Sequence, residues 1–278
     1  MRIAFLMVAH PPSRVSPIMP AVVQLLRDWG VEVAVVYPEE ERVDLGAVRV
    51  EHDLYVLKSG TELALSVAGV LDALGAVIIN PYQVSVRCRD KIVATRILQD
   101  AGIPVPDTYV AGRPGELASL LEDGPLVIKP YRGSQGRGVR VIWDADELHD
   151  GVTTDGPLLA QRYHQPVGPD CKVYCIGGQL FGVKRVWPAR TYREKLGEPF
   201  TITAEIRDIA VRAGAAFGLG LFGFDVIMAA SRPYVVDISA FPGFKGVPDA
   251  PLRLADYIYT AAERAAAGRP LVATGAPA

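Results

Sequence analysis

The chain has 278 residues, half of them hydrophobic and 22% charged, with a formal net charge of −2. That is enough apolar material for one large domain or two to three small ones, and the lack of a basic excess excludes a nucleic-acid or membrane surface as the main partner. The first apolar run is too short to span a bilayer and lacks a signal-peptide cleavage pattern, and three cysteines are too few for a disulfide framework, so a cytoplasmic location is expected.

In chain order, Arg2 to Ala9 reads as an apolar strand. Ser16 and Pro17 then predict an N-cap and first helical position ahead of Ile18, Val22, Leu25 and Leu26, with Gly30 as the stop. Val31 to Tyr37 and Asp53 to Leu57 are further strands. Thr61 predicts a helix cap, with Leu63, Val67, Val70, Leu71 and Leu74 facing inward, before a buried strand at Ala76 to Ile79. This alternation implies parallel strands with helical crossovers, and no G-x-G-x-x-G follows the first strand, which argues against a dinucleotide site. Asp90 predicts another cap, for a helix carrying Val93, Ile97 and Leu98. After Pro104 and Pro106 the texture changes to short strands and turns: Pro125 to Lys129, a glycine-rich loop at Gly133 to Gly138, Val139 to Ile142 and Leu158 to Tyr163. A hairpin is predicted from Lys172 to Ile176 through Gly177 and Gly178 into Leu180 to Val186. A helix over Ala204 to Phe217 with Ile206, Ile209, Val211 and Phe217 inward, strands at Leu221 to Met228 and Tyr234 to Ile238, and a last helix from Pro251 to Ala267 complete the reading. Cys171 and Cys175 can share a strand face, but no histidine or cysteine completes a metal site with them.

Four groups of residues suggest chemistry. Lys129 ends an apolar strand and runs into the loop Gly133, Ser134, Gln135, Gly136, Arg137 and Gly138; a lysine there calls for a permanent anion, and the glycines let backbone N–H groups approach one. An apolar strand ending in Gln161, Arg162, Tyr163 and His164 is what an adenine pocket needs. Asp225 and Asp237 sit on two neighbouring apolar strands, where a pair of carboxylates is tolerable with a cation between them; Mg²⁺ is apt. Lys172, Lys184 and Arg185 on the hairpin, with Lys58 at the end of an N-terminal strand, offer the positive groups that phosphoryl transfer requires.

Taken in order, Asp90 and Lys91, Ala101 to Pro106, Val127 to Pro130, Gly133 to Gly138, Gln161 to His164 and Asp225 with Asp237 and Ser239 resemble the ATP-grasp superfamily. The resemblance covers about residues 85–250. It implies an ATP-grasp fold, with an α/β N-terminal subdomain over 1–89, a central lobe over 90–157 and a C-terminal lobe over 158–278. It implies ATP and magnesium (or manganese) as cofactors. Lys91, Lys129 and the loop residues Gly133, Ser134, Gln135 and Gly136 would contact phosphates, Gln161 to His164 would hold adenine, and Asp225, Asp237 and Ser239 would hold the metal. The family usually has asparagine at the last position. The glycine loop is closer to RimK-type carboxylate–amine ligases, whereas Leu221 to Ile227, Val236 to Val247 and the hairpin are similar to the inositol trisphosphate kinases. The reading that follows is phosphorylation of a hydroxyl on a polar small molecule, with the ligase as the alternative. Arg185 and Lys172 would be the catalytic cations, and Lys58, Lys172, Lys184, Gly243 and Lys245 would face the acceptor.

Overall fold

Alternating strands and helices at the start of the chain do build a parallel sheet. In the computed structural model, β1 (Arg2–Leu6) lies between β2 (Glu32–Val36) and β3 (Leu54–Leu57), and β4 (Ile78–Ile79) completes the order β2-β1-β3-β4. The structure describes residues 1–9, 16–133, 136–148, 156–186, 191–230 and 232–271. Apolar residues fill both faces of β1 and β3 because helices cover both. Ile3, Phe5, Leu54 and Val56 face α1 (Ile18–Asp28), while Ala4, Leu6, Tyr55 and Leu57 face α2 (Glu62–Ala73).

Helix ends follow the sequence better than helix faces do. Thr61 caps α2, accepting from the Ala64 N–H at 3.3 Å, but α1 begins after Pro17 with no side-chain cap, so the expected Ser16 cap is not made. On α2 the inward residues are Ala64, Leu65, Val67, Ala68 and Leu71, whereas Leu63 and Leu74 are exposed. Apolar residues surround this helix, so spacing alone does not select a face; the small alanines let its axis approach the sheet. Val211 is likewise exposed instead of inward. A helix that the sequence reading lacks, α3 (Tyr82–Arg89), precedes α4 (Lys91–Asp100), which Asp90 caps through the N–H groups of Ile92 and Val93.

β5 (Thr108–Ala111), β6 (Leu126–Pro130), β7 (Arg140–Ile142) and β8 (Leu158–Arg162) form an antiparallel sheet of order β5-β8-β6-β7 with a small core of its own. The predicted hairpin is present as β9 (Asp170–Ile176) and β10 (Gln179–Arg185), turning at Gly177 and Gly178, both at positive φ. After α5 (Tyr192–Leu196) come β11 (Glu198–Phe200), α6 (Ala204–Phe217), β12 (Leu221–Ala229) and β13 (Arg232–Ser239), giving a second antiparallel sheet of order β11-β10-β9-β12-β13. One face of this sheet buries Cys171, Val173, Cys175, Phe222 and Phe224 under α4 and α6; the three cysteines are free and buried. The last helix, α7 (Ala250–Ala266), crosses back to pack on α1 and β3, so Tyr174, Val183, Leu221 and Phe244 share a core with the N-terminal sheet. The architecture is an α/β subdomain followed by two α+β lobes. Among the described residues no helix is long and apolar enough to cross a membrane.

Candidate active site

Strand alternation builds the centre of the site. Lys172 on β9 stands directly opposite Asp225 on β12, and Asp225 stands opposite Asp237 on β13, so one ammonium and two carboxylates occupy neighbouring positions across the sheet. The ladder shifts register immediately after Asp225, a bulge of the kind that re-aims side chains next to functional sites. Lys172 Nζ is 2.8 Å from Asp225 Oδ2, Arg185 Nη2 is 3.1 Å from Oδ1, and Lys91 Nζ is 2.6 Å from Asp237 Oδ1. Lys172 is buried, while the two carboxyl groups are 27% and 33% exposed, so they open on a cleft rather than lying in the core. The cations offset the repulsion between the carboxylates.

Lys129 lies beside this row. Its buried ammonium donates to Gln161 Oε1 at 2.6 Å and to the Val236 carbonyl at 3.0 Å. Burial lowers its pKa to about 8, with Asp237 pulling the other way. The glycine loop is tied to the preceding helices: Lys91 N–H donates to the Tyr131 carbonyl, and Arg89 donates to the Gly133 carbonyl. Gly136 and Gly138 have positive φ, and a side chain at Gly138 would collide with Pro130. Ser134 and Gln135 lie outside the described residues. Arg89 is absent from the sequence reading because α3 is; its Nε is buried with no acceptor among the described residues, as a donor awaiting an anion would be.

The hinge differs from expectation. The N–H groups of Arg162 and Tyr163 donate to the Asp107 and Pro125 carbonyls, so neither is open to adenine. The Arg162 guanidinium braces the carbonyls of Leu120 and Gly124, and Gln161 is buried as the partner of Lys129 and Thr108. His164 stacks on Tyr234 with ring centroids 4.2 Å apart, and Tyr163 tilts against Trp143. Sequence position alone does not reveal that a strand end is still hydrogen-bonded to its neighbours.

On the other side of the row, Lys58 and Lys245 come together as expected, but Lys58 is partly committed. Its Nζ donates to the Phe241 carbonyl at 3.0 Å and sits over the Phe241 ring, and burial with the Lys245 charge lowers its pKa to about 8. Lys184 is a correction. It pairs with Cys171, one register step from Lys172, so alternation sends it to the opposite face, where it lies exposed over Phe200. A side chain at Gly243 would meet only Lys245. Lys195, on the short helix α5, joins this group without having been expected, because a five-residue helix leaves no periodic signal.

The donor set fits magnesium. Two carboxylates from adjacent strands, with Ser239 two residues on and opposite Gly223, suit a cation that takes one or two carboxylates and completes its shell with phosphate oxygens. Among the described residues no cluster of three or more His, Cys, Asp or Glu forms a metal cage on its own.

Residues 88–258 match the model of the RimK-like ATP-grasp domain. A probable alpha-L-glutamate ligase of Serratia proteamaculans is 29% identical over 214 residues, 70% of this chain and 71% of that protein. The ribosomal protein bS6–L-glutamate ligase of Salmonella paratyphi B is 29% identical over 191 residues, 63% of each chain. A crystal structure of a RimK domain ATP-grasp protein from Sphaerobacter thermophilus superposes with a TM-score of 0.74 at 19% identity, covering 92% of this chain and 98% of that one, a likeness of fold. Both relatives carry ligase names, so the kinase reading finds no support among them and the ligase alternative fits better. ATP and magnesium remain the cofactors, as for ATP-grasp ligases generally. With the domain model matched over more than half its length, the chain belongs to the RimK-like ATP-grasp family.

Proposed function

We propose that this protein is an ADP-forming carboxylate–amine ligase acting on a carboxylate-bearing small molecule or peptide. The observation that carries the reading is the row Asp237, Asp225, Lys172 and Arg185 on the sheet, with Lys91 reaching Asp237 from the start of α4, in a chain of this family. In the first half-reaction a carboxylate oxygen of the substrate attacks the γ-phosphorus, ADP leaves, and an acyl phosphate forms. In the second, an amine nitrogen attacks the acyl carbon, the carbon–oxygen bond to phosphate breaks, a proton leaves the nitrogen, and an amide and inorganic phosphate result.

Lys129 and Lys91, with Arg89 bracing the glycine loop, would hold the ATP phosphates. Magnesium held by Asp225 and Asp237, with Ser239 beside them, would neutralise phosphate charge. Lys172 and Arg185 are placed to stabilise negative charge on the transferring group, and His164 with Tyr234 offers an apolar ring face near the hinge. Catalysis would be mainly positioning and electrostatics.

The test uses Mg·ATP, a peptide and metabolite extract, and added amines, with products identified by mass. A ligase releases ADP and phosphate in step with a new amide, and hydroxylamine diverts the acyl phosphate to a hydroxamate. A stable phosphate ester on an alcohol, with no hydroxamate, would restore the kinase reading and overturn this one.

A further inference from the structure

Lys129 is fixed from two sides of the cleft. Gln161 on β8 lies between Thr108 of β5 and Val127 of β6 in the ladder, so alternation places it on the same sheet face as Lys129. Its Oε1 accepts from Lys129 Nζ at 2.6 Å. From the other lobe, the Val236 carbonyl accepts from the same ammonium at 3.0 Å. Val236 is the residue left without a ladder partner at the register shift, since Asp225 pairs with Asp237 and Val226 with Val235. An ammonium has three N–H donors, so these two acceptors leave one for a phosphate oxygen.

The amide that holds Lys129 is itself held one way round. Thr108 Oγ1 donates to the Pro106 carbonyl at 2.7 Å, which uses its only proton. The hydroxyl can then only accept, and it accepts from Gln161 Nε2 at 3.2 Å. With Nε2 engaged there, Oε1 faces the lysine. Gln161 is 2% exposed, so a reversed amide would set its NH₂ group against the ammonium with no water to relieve either. Charge matters as much as direction. Lys91, Lys172 and Arg185 each have a carboxylate within 4.0 Å, whereas among the described residues Lys129 has none. Asp237 and Asp225 act on it from farther away and are engaged by those other cations, and the Lys91 charge opposes them. A neutral partner therefore fixes the ammonium without cancelling it. A carboxylate in the same place would bind the lysine more strongly and repel a phosphate.

We propose that Gln161 is the positioning residue for Lys129 instead of an adenine contact, that Thr108 fixes the direction of its amide, and that a neutral acceptor is required there so that the ammonium meets the ATP phosphates with its charge intact. The assignment rests on the proposed function only in taking Lys129 as a phosphate contact. It involves neither the carboxylate nor the amine substrate, so nucleotide alone tests it.

The experiment measures equilibrium binding of Mg·AMPPNP to the full-length protein beside denaturant titrations without nucleotide, with Lys129→Met as the reference. Gln161→Glu should keep or raise the denaturation midpoint, because the new carboxylate pairs with Lys129, and yet weaken AMPPNP binding at least about tenfold. A merely structural glutamine gives the opposite split, with stability lost and affinity kept. Thr108→Val frees the amide to turn over and should weaken AMPPNP binding about threefold or more, whereas Thr108→Ser keeps the hydroxyl and should bind like the parent. Parent-like affinity in Gln161→Glu, with Lys129→Met weakened, would overturn the positioning role alone. Parent-like affinity in both would remove Lys129 as a phosphate contact as well. If Gln161→Glu does not fold, the Thr108 pair decides: a valine variant no weaker than the serine variant overturns the proposal. A protein that binds AMPPNP in this pattern but forms no amide would defeat the ligase reading and leave this assignment standing.

Discussion

Replacing Lys129 with methionine separates a nucleotide-binding lysine from a structural one. Burial lowers the pKa of this ammonium from 10.5 to about 8, and at 1.36 kcal/mol per unit keeping it charged near pH 7 costs about 3 kcal/mol. Against that stand its bonds to Gln161 Oε1 and the Val236 carbonyl, which as charged hydrogen bonds contribute about 1.5–3 kcal/mol each. Methionine, of similar length, removes the cost and the bonds together, so unfolding free energy without nucleotide should change by less than about 2 kcal/mol. The nucleotide effect should be larger. Losing a lysine–phosphate contact in a dry cleft weakens binding by about 2–4 kcal/mol. At a ligand concentration of about 100 times the wild-type Kd, the parent gains about 2.7 kcal/mol and a variant bound about 100-fold more weakly gains only about 0.4 kcal/mol. Denaturant titrations of both proteins, with and without Mg·AMPPNP, read both quantities. A variant that loses more than about 4 kcal/mol without nucleotide, yet keeps the full ligand-induced gain, would show that Lys129 is a scaffold residue and refute the reasoning.

Three further outcomes are expected. Asp225→Asn and Asp237→Asn should each abolish ATP turnover while circular dichroism stays native-like, and Ser239→Asn should preserve or raise it; near-native rates in either aspartate variant at saturating magnesium would remove that residue from the metal site. Gly246→Ala forces a Cβ onto the Leu196 carbonyl at φ +82° and should lower unfolding free energy by about 2 kcal/mol or more; an unchanged denaturation midpoint would contradict the close packing of α5 on this loop. Lys58 is held charged below its folded pKa of about 8 at a cost that disappears once pH passes the unfolded value of 10.5, because the folded state releases its proton first. The stability of Lys58→Met relative to wild type should therefore be highest below pH 8 and decline as pH rises from 8 to 10.5, followed by denaturation across that window. A flat difference would mean the ammonium is solvated.

Much of the fold is legible along the chain because its signals are local. The helix over Ala204 to Phe217 has the predicted bounds, with Thr203 capping it and Gly218 in the left-handed conformation at its end. Thr61 and Asp90 cap the helices they were expected to cap, and Gly177 and Gly178 turn the hairpin they were expected to turn. Asp225 and Asp237 declared themselves as carboxylates on apolar strands, and the ladder brings them face to face. Sequence motifs also pointed to the ATP-grasp superfamily, since the spacing of lysine, glycine loop and paired acids follows from what a polyphosphate and its metal require.

Other features depend on contacts between distant segments. Whether Lys184 or Lys172 enters the site is decided by the pairing of β9 with β10, since one register step exchanges the two faces of a strand. Arg162 looks like a nucleotide contact until the carbonyls of Leu120 and Gly124 are seen to engage it. The approach of α5 and the end of β10 to the loop carrying Lys245 depends on close main-chain packing at Gly197 and Gly246 and on the burial of Phe244. Local sequence determined caps, turns, strands and the identity of the chemical groups, because propensity and steric preference act over a few residues. Tertiary structure decided which groups face one another and which charges stay unanswered, because register, burial and electrostatic neighbours are set by segments far apart in the chain.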